Sequence, residues 1–177
     1  MIENINLNGA TVSAELHGYM YNGVYGYNGV LDSGSKLSAE IISNNEIKIK
    51  DGLLCNAGRF MRIVGSESVA IANGTSGVSR TDLIVAHFET NGITEMHDIR
   101  VIQGTAGGAV PTYANDDIYN GGTVHELPLY EVHLNGLTVE SLVQKFSIIS
   151  TTEEIEKKLR TNFLKCTLAT TTSNGIT

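Results

Sequence analysis

The stretch that most constrains this chain runs from Arg80 to Leu137. Its first half is two apolar, β-branched runs joined by Asn91-Gly92. Asn and Gly both tolerate positive φ, which a two-residue hairpin loop demands, so this pair is a strong local hairpin signal. A long polar loop, Gly104 to Glu126, follows and is closed by a strand from Leu127 to Leu134 that ends at Asn135-Gly136. A chain written this way is committed to antiparallel β structure, and no catalytic motif competes with it.

The same texture extends upstream. Lys36–Ser43 reads as a strand, Asn44-Asn45 as a turn, and Glu46–Lys50 as a second strand. Asp51-Gly52 reads as a type I′ turn, with a third strand from Leu53. In that register Ile42 faces Ile47 and Ile49 faces Leu54, the apolar cross-strand pairs a ladder needs. Arg59–Val64 and Ser68–Ala72 add strands, and Leu137–Ile149 ends the β region. Loops as long as 104–126 are functional or pinned by a neighbour, and Asp116–Tyr119 reads as a short helical turn inside it. The expected architecture is mainly β. It is an antiparallel sandwich or partly open barrel built from meanders, with a short C-terminal helix and an extended tail. The β body spans 36–150.

The flanks differ from the body. Residues 1–35 form an arm rich in Gly and Tyr, where Tyr19, Tyr21, Tyr25 and Tyr27 share one face of any extended segment. They are candidates for docking or for a glycan platform. At 151–166, Thr151 and Glu154 stand three apart as a capping box before an apolar stripe of Ile155, Leu159 and Phe163. Ile155, Leu159, Asn162 and Cys166 also fit alternating four- and three-residue steps, so these five residues are the candidate oligomer interface. A helix of about 15 residues is marginal alone, and its stripe packs on the body or on sister subunits. The polar segment 167–177 needs an anchor, for which a partner chain is suited.

Composition narrows the function. A net charge of −7 and a pI near 5.1 leave no electrostatic footprint for nucleic acid. Only 18% of residues are charged, against about a quarter in an ordinary domain. Ser, Thr, Asn and Gly must therefore cover much of the surface, as on proteins sheathed by partners. Two cysteines make no disulfide framework, which suits a reducing cytosol. The N-terminus lacks the pattern of a signal peptide, and no apolar run spans a bilayer.

The search for chemistry yields no catalytic, cofactor or metal residue. With a two-residue turn at Asn91-Gly92, His87 pairs with Met96 and His97 with Ala86. Their rings then point to opposite sheet faces and cannot share an ion. His17, His125 and His133 show no ligand spacing. Cys55 and Cys166 lack an activating arrangement, and there is no Gly-x-Ser-x-Gly elbow. Gly104–Gly108 is not followed by Lys-Ser/Thr, and Asp116-Asp117 lacks EF-hand spacing. Arg80 and Asp82 lie on one face of their strand, positioned for a bidentate structural ion pair.

An ordered set of short motifs carries a resemblance. It begins with Tyr21-Asn22-Gly23-Val24-Tyr25-Gly26, Ile47-x-Ile49-x-Asp51-Gly52 and Gly58-Arg59. Asn73-Gly74-Thr75-x-Gly77, Arg80-x-Asp82-Leu83-Ile84-Val85 and Gly104-Thr105 follow. It closes with Leu127-Pro128-Leu129-Tyr130-x-Val132-x-Leu134-x-Gly136-Leu137. Over roughly residues 12 to 150 the chain resembles the N-terminal module of tail-fibre and baseplate proteins from bacteriophages of Gram-positive hosts. The resemblance implies a non-enzymatic virion protein, made in the bacterial cytoplasm and attached to the tail, commonly as a homotrimer. Other tail or baseplate proteins are the implied partners. A chain that ends soon after the helix, without a receptor-binding head, points to an adaptor or connector. The alternatives are a carbohydrate-binding module contacting host-wall glycans and a head-fibre or capsid-decoration protein.

Overall fold

The computed structural model describes residues 12–173, and side chains through residue 163. Among these residues the chain runs α1 (Ala14–Tyr25), β1 (Asn28–Leu31), β2 (Ala39–Ser43), β3 (Glu46–Asn56) and β4 (Arg59–Ala70). It continues through β5 (Ser79–Thr90), β6 (Glu95–Ile102), a 3-10 turn (Ile118–Asn120), β7 (Val124–Asn135), β8 (Thr138–Gln144), β9 (Ile148–Ile149) and α2 (Thr152–Ser173).

The strands form two sheets, a sandwich and not a closed barrel. In the first, β3 pairs along one edge with β4. Its other edge is shared by β2 near the start and β1 near the end. β1 in turn carries β9 in parallel. The second sheet is antiparallel in the order β6-β5-β7-β8. Val30, Ile47, Ile49 and Leu54 of the first sheet meet Ile84, Leu129, Val132 and Leu134 of the second in one core cluster. Burying each such side chain contributes about 1.5–3 kcal/mol. β5 is buried along nearly its whole length. Ile84 and Ala86 face the core, while Leu83 on the other face lies in a groove with Val110 and Pro111 of the long loop.

That loop is pinned. Gly107 N–H donates to the Ser79 carbonyl at 2.7 Å, and Glu126 N–H to the Ala114 carbonyl at 2.8 Å. The Glu126 carboxylate accepts from Ala114 N–H at 2.7 Å and lies 2.9 Å from His87 Nδ1.

Several turns differ from the sequence reading. The loop between β5 and β6 holds four residues, since Thr90 pairs with Glu95. Asn91 Oδ1 accepts from the N–H groups of Ile93 and Thr94, at 2.9 and 2.8 Å, so an Asx turn wins over the two-residue loop. His87 therefore pairs with Asp98 and His97 with Phe88, and the two rings still point to opposite faces. Asp51-Gly52 is no turn. β3 runs through it, and the register with β4 slips from Lys50↔Ser66 to Gly52↔Ile63, a bulge. A glycine fits there because a Cβ would come within 2.8 Å of the Leu37 backbone nitrogen. The reversal comes instead at Ala57-Gly58, both at positive φ (50° and 73°), which joins Asn56 to its partner Arg59. Ile41, not Ile42, pairs with Ile47. Ile49 and Leu54 share one strand, and the two strands expected between Arg59 and Ala72 are the single β4.

The flanks bring two larger corrections. The tyrosine arm is not extended. Ala14–Tyr25 is a helix, with Ser13 Oγ accepting from Leu16 N–H at 3.2 Å and Gly26 at φ 84° ending it. Gly18 and Gly23 each cost about 1 kcal/mol against Ala in a helix, which is why the segment does not read as one. At Gly18 a Cβ would lie 2.6 Å from Arg59 Nη1, so a larger residue there would push the Arg59 side chain aside. At the other end α2 continues to Ser173, so the expected extended tail is helical through that residue. Its Thr residues lower helix propensity by only tenths of a kcal/mol each. The Cys166 side chain and residues 174–177 lie outside the described residues.

Candidate functional site: an exposed helix and a tyrosine cleft

α2 begins as its sequence spells out. Thr151 N–H donates to Glu154 Oε2 at 3.0 Å, and Glu154 N–H donates back to Thr151 Oγ1 at 3.2 Å. From there its described side chains, Glu154 apart, are exposed. Ile155, Leu159 and Phe163 show 46%, 65% and 74% of their surface to solvent, and Asn162 is exposed beside them. The stripe that would ordinarily be buried is thus presented outward. Where α2 leaves the body, Ile155 shares a largely apolar hollow of about 610 Å³ with Val24 and Tyr25 of α1 and with Leu31 and Ile149.

The four tyrosines do not form one platform. Tyr21 and Tyr25, four apart on α1, both meet Phe60 of β4 edge-on, at 4.9 and 5.5 Å between centroids. Tyr19 and Tyr27 turn instead to Tyr119. Tyr19 lies on that ring at 4.1 Å, and Tyr27 meets it edge-on at 5.9 Å. The Tyr119 hydroxyl donates to the Ala57 carbonyl at 3.1 Å, and Ile118 N–H donates to the Tyr27 hydroxyl at 3.3 Å. Burial raises the pKa of both Tyr27 and Tyr119, so both stay protonated well past neutral pH. Tyr119 was visible in sequence only as part of a helical turn. Nothing local marks it as the residue on which the arm docks.

These rings wall a cleft of about 650 Å³ whose polar lining includes Asn22, Asn28, Asp116, Asp117 and Asn120. Asp116 Oδ2 accepts from the N–H groups of Thr123 and Val124, each at 3.2 Å. Asp117 Oδ1 accepts from Tyr119 N–H at 3.1 Å, and Asn120 Nδ2 donates to its Oδ2 at 2.6 Å. Beneath the cleft sits His125, almost fully buried and edge-on to Tyr27. Its Nδ1 lies 3.0 Å from the Asp116 carbonyl and its Nε2 3.0 Å from Asn28 Nδ2. A neutral ring with the proton on Nδ1 satisfies both, and burial lowers its pKa accordingly.

A second neutral pair joins fully buried Asn56 to half-buried His97. Asn56 of β3 donates from Nδ2 to the Ala86 carbonyl of β5 at 2.8 Å, and the same nitrogen lies 3.2 Å from His97 Nε2. Burial pushes the His97 pKa down to about 4 and His87 adds to this, while Asp98 and Glu95 oppose it. Asn56 Oδ1 is buried without a hydrogen-bond partner among the described residues. Asn56 and Asn28 thus stitch the first sheet to the second.

Arg80 and Asp82 form a bidentate pair, Nε to Oδ1 at 2.8 Å and Nη2 to Oδ2 at 2.9 Å. The guanidinium also donates to the carbonyls of Asn73 and Ala72, and Asp82 Oδ1 accepts from Gly104 N–H at 2.8 Å. The pair therefore holds the β4–β5 connection and the start of the long loop together, away from any cavity wall described above. Cys55 is buried against the Gly26 and Tyr27 carbonyls, and burial raises its pKa, which makes it a poor nucleophile. Among the described residues no three His, Cys, Asp or Glu are grouped to hold a metal ion. Among them, too, no helix is long and apolar enough to cross a membrane. Comparison with protein-family models and with curated proteins finds no match to this chain.

Proposed function

We propose that the chain is a structural protein of a bacteriophage tail or baseplate, a non-catalytic adaptor that joins fibre or receptor-binding components to the tail. The observation that carries this reading is α2, which leaves a rigid sandwich with Ile155 and Leu159 turned to solvent. Covering the exposed parts of Ile155 and Leu159 gains about 1 kcal/mol or more each. A closed trimer of such helices buries each copy's stripe against its sisters. The ordered motifs between Tyr21 and Leu137 support the same assignment. In this reading the protein is made in the host cytoplasm and incorporated into the virion, with the sandwich fixing position and α2 and the neighbouring hollow supplying contacts.

Solution mass by light scattering, on the full chain and on a version ending at Ser150, tests the assembly. The expected result is a trimer that becomes a monomer on truncation. A monomer in both overturns the trimer. Immunogold labelling of phage particles tests the location: gold at the tail tip is expected, and label confined to the head reassigns the protein to a head fibre or capsid decoration.

A further inference from the structure

The cleft between α1 and the 3-10 turn is built like a ligand site, and nothing in the adaptor reading requires it. We infer that it binds a neutral saccharide of one or two rings. A volume of about 650 Å³ suits such a ligand. Part of its lining is aromatic: Tyr19, tilted against Tyr119 at 4.1 Å, with Tyr27 edge-on to Tyr119. Sugar rings present faces of aliphatic C–H that pack on aromatic rings, while their equatorial hydroxyls require paired donors and acceptors. The polar lining supplies both, from the side chains of Asn22, Asp116, Asp117 and Asn120. Carboxamides offer a donor and an acceptor side by side, and carboxylates accept from two hydroxyls at once.

The charge of the lining selects among sugars. Asp116 and Asp117 line the cleft, and among the described residues no Lys or Arg does; Arg59, 5.5 Å from the Tyr119 ring, is neutralised by Glu95, so phosphorylated or otherwise anionic glycans are disfavoured. The groups are also held in place before any ligand arrives. Asp116 is fixed by two backbone N–H groups, Asp117 by the Tyr119 N–H, and the hydroxyls of Tyr27 and Tyr119 by the backbone. Sites whose polar groups are already ordered lose less entropy on binding, which is how small polar ligands reach useful affinity.

The test is a saturation-transfer NMR and tyrosine-fluorescence titration of the full chain with glucose, galactose and N-acetylglucosamine, with glucose 6-phosphate as the anionic probe. At least one neutral sugar is expected to bind with a Kd of about 1–10 mM. Tyr19→Ala is expected to weaken it about tenfold, and Asn22→Ala, at a helix surface position, about threefold. Tyr113→Ala, an exposed tyrosine outside the cleft, serves as the unchanged control. Circular dichroism confirms that each variant is folded. If Tyr19→Ala loses α1, Asn22→Ala decides the matter alone. No neutral sugar bound at ~50 mM, affinity unmoved by Asn22→Ala, or tighter binding of the phosphate ester than of glucose overturns the assignment. The outcome is independent of subunit mass, so it and the adaptor reading stand or fall separately.

Discussion

Two polar clusters hold this sandwich, and they work on opposite principles. The Arg80–Asp82 cluster is charged and fully paired, and it ties the β4–β5 connection and the long loop to one strand. The Asn28–His125 and Asn56–His97 cluster is neutral, bridges the two sheets, and has a ring nitrogen that must stay unprotonated. An ion pair of this kind carries its own opposite charges. A neutral imidazole holds its place only while protons are scarce, so mild acid acts on the bridge between the sheets.

Breaking the charged cluster gives the largest expected effect. Asp82→Ala strands Arg80 in the interior and frees Gly104 N–H, and loss of one partner of a buried pair costs about 3–5 kcal/mol. Urea denaturation measures it, and a loss under about 1 kcal/mol means the pair is not buried in solution. Next comes acid. His97 titrates near 4 when folded and near 6.5 when unfolded. Between those values the unfolded chain binds the extra proton, so its stabilisation is present above about pH 6.5 and is lost as pH falls toward 4. The shift corresponds to about 3 kcal/mol. His97→Gln should flatten that part of the pH profile while leaving the Asp82→Ala penalty unchanged, and an unaltered profile refutes the neutral-clamp account.

Smaller effects sharpen the contrast. Gly58→Ala places a Cβ at φ 73° against the Tyr119 hydroxyl and the Gly18 carbonyl. About 2 kcal/mol of loss is expected, seen as faster hydrogen exchange in α1 and near the neutral cluster but not around Arg80. Thr151→Ala removes one arm of the capping box and costs α2 about 1 kcal/mol, read as lost helical circular dichroism with the sandwich melt unmoved.

The features legible in sequence are those whose partners sit within a few residues. Arg80-x-Asp82, the capping box from Thr151 to Glu154 and the apolar runs of β5 and β7 are short-range features, and each is visible as a pattern. Asn91-Gly92 marked a reversal correctly, but the Asn91 side chain chose its loop length. The neutral cluster joins Asn28 to His125 and Asn56 to His97, and no local pattern links residues so distant in the chain. α1 was hidden for the same reason: Gly18 weakens the helix locally, and the Arg59 and Tyr119 side chains that crowd it come from elsewhere in the chain. The cleft depended on Tyr119, and so on that docking.

α2 follows β9 with only Ser150 and Thr151 between them, and β9 lies parallel to β1 through Val30↔Ile148 and Leu31↔Ile149. Tension applied to α2 therefore enters the body as shear along β1. That short seam, reinforced by Val30 N–H on the Ser147 carbonyl at 2.9 Å, is far shorter than the β3–β4 ladder behind it. Under load that seam, two residue pairs long, is expected to yield before the ten-pair β3–β4 ladder.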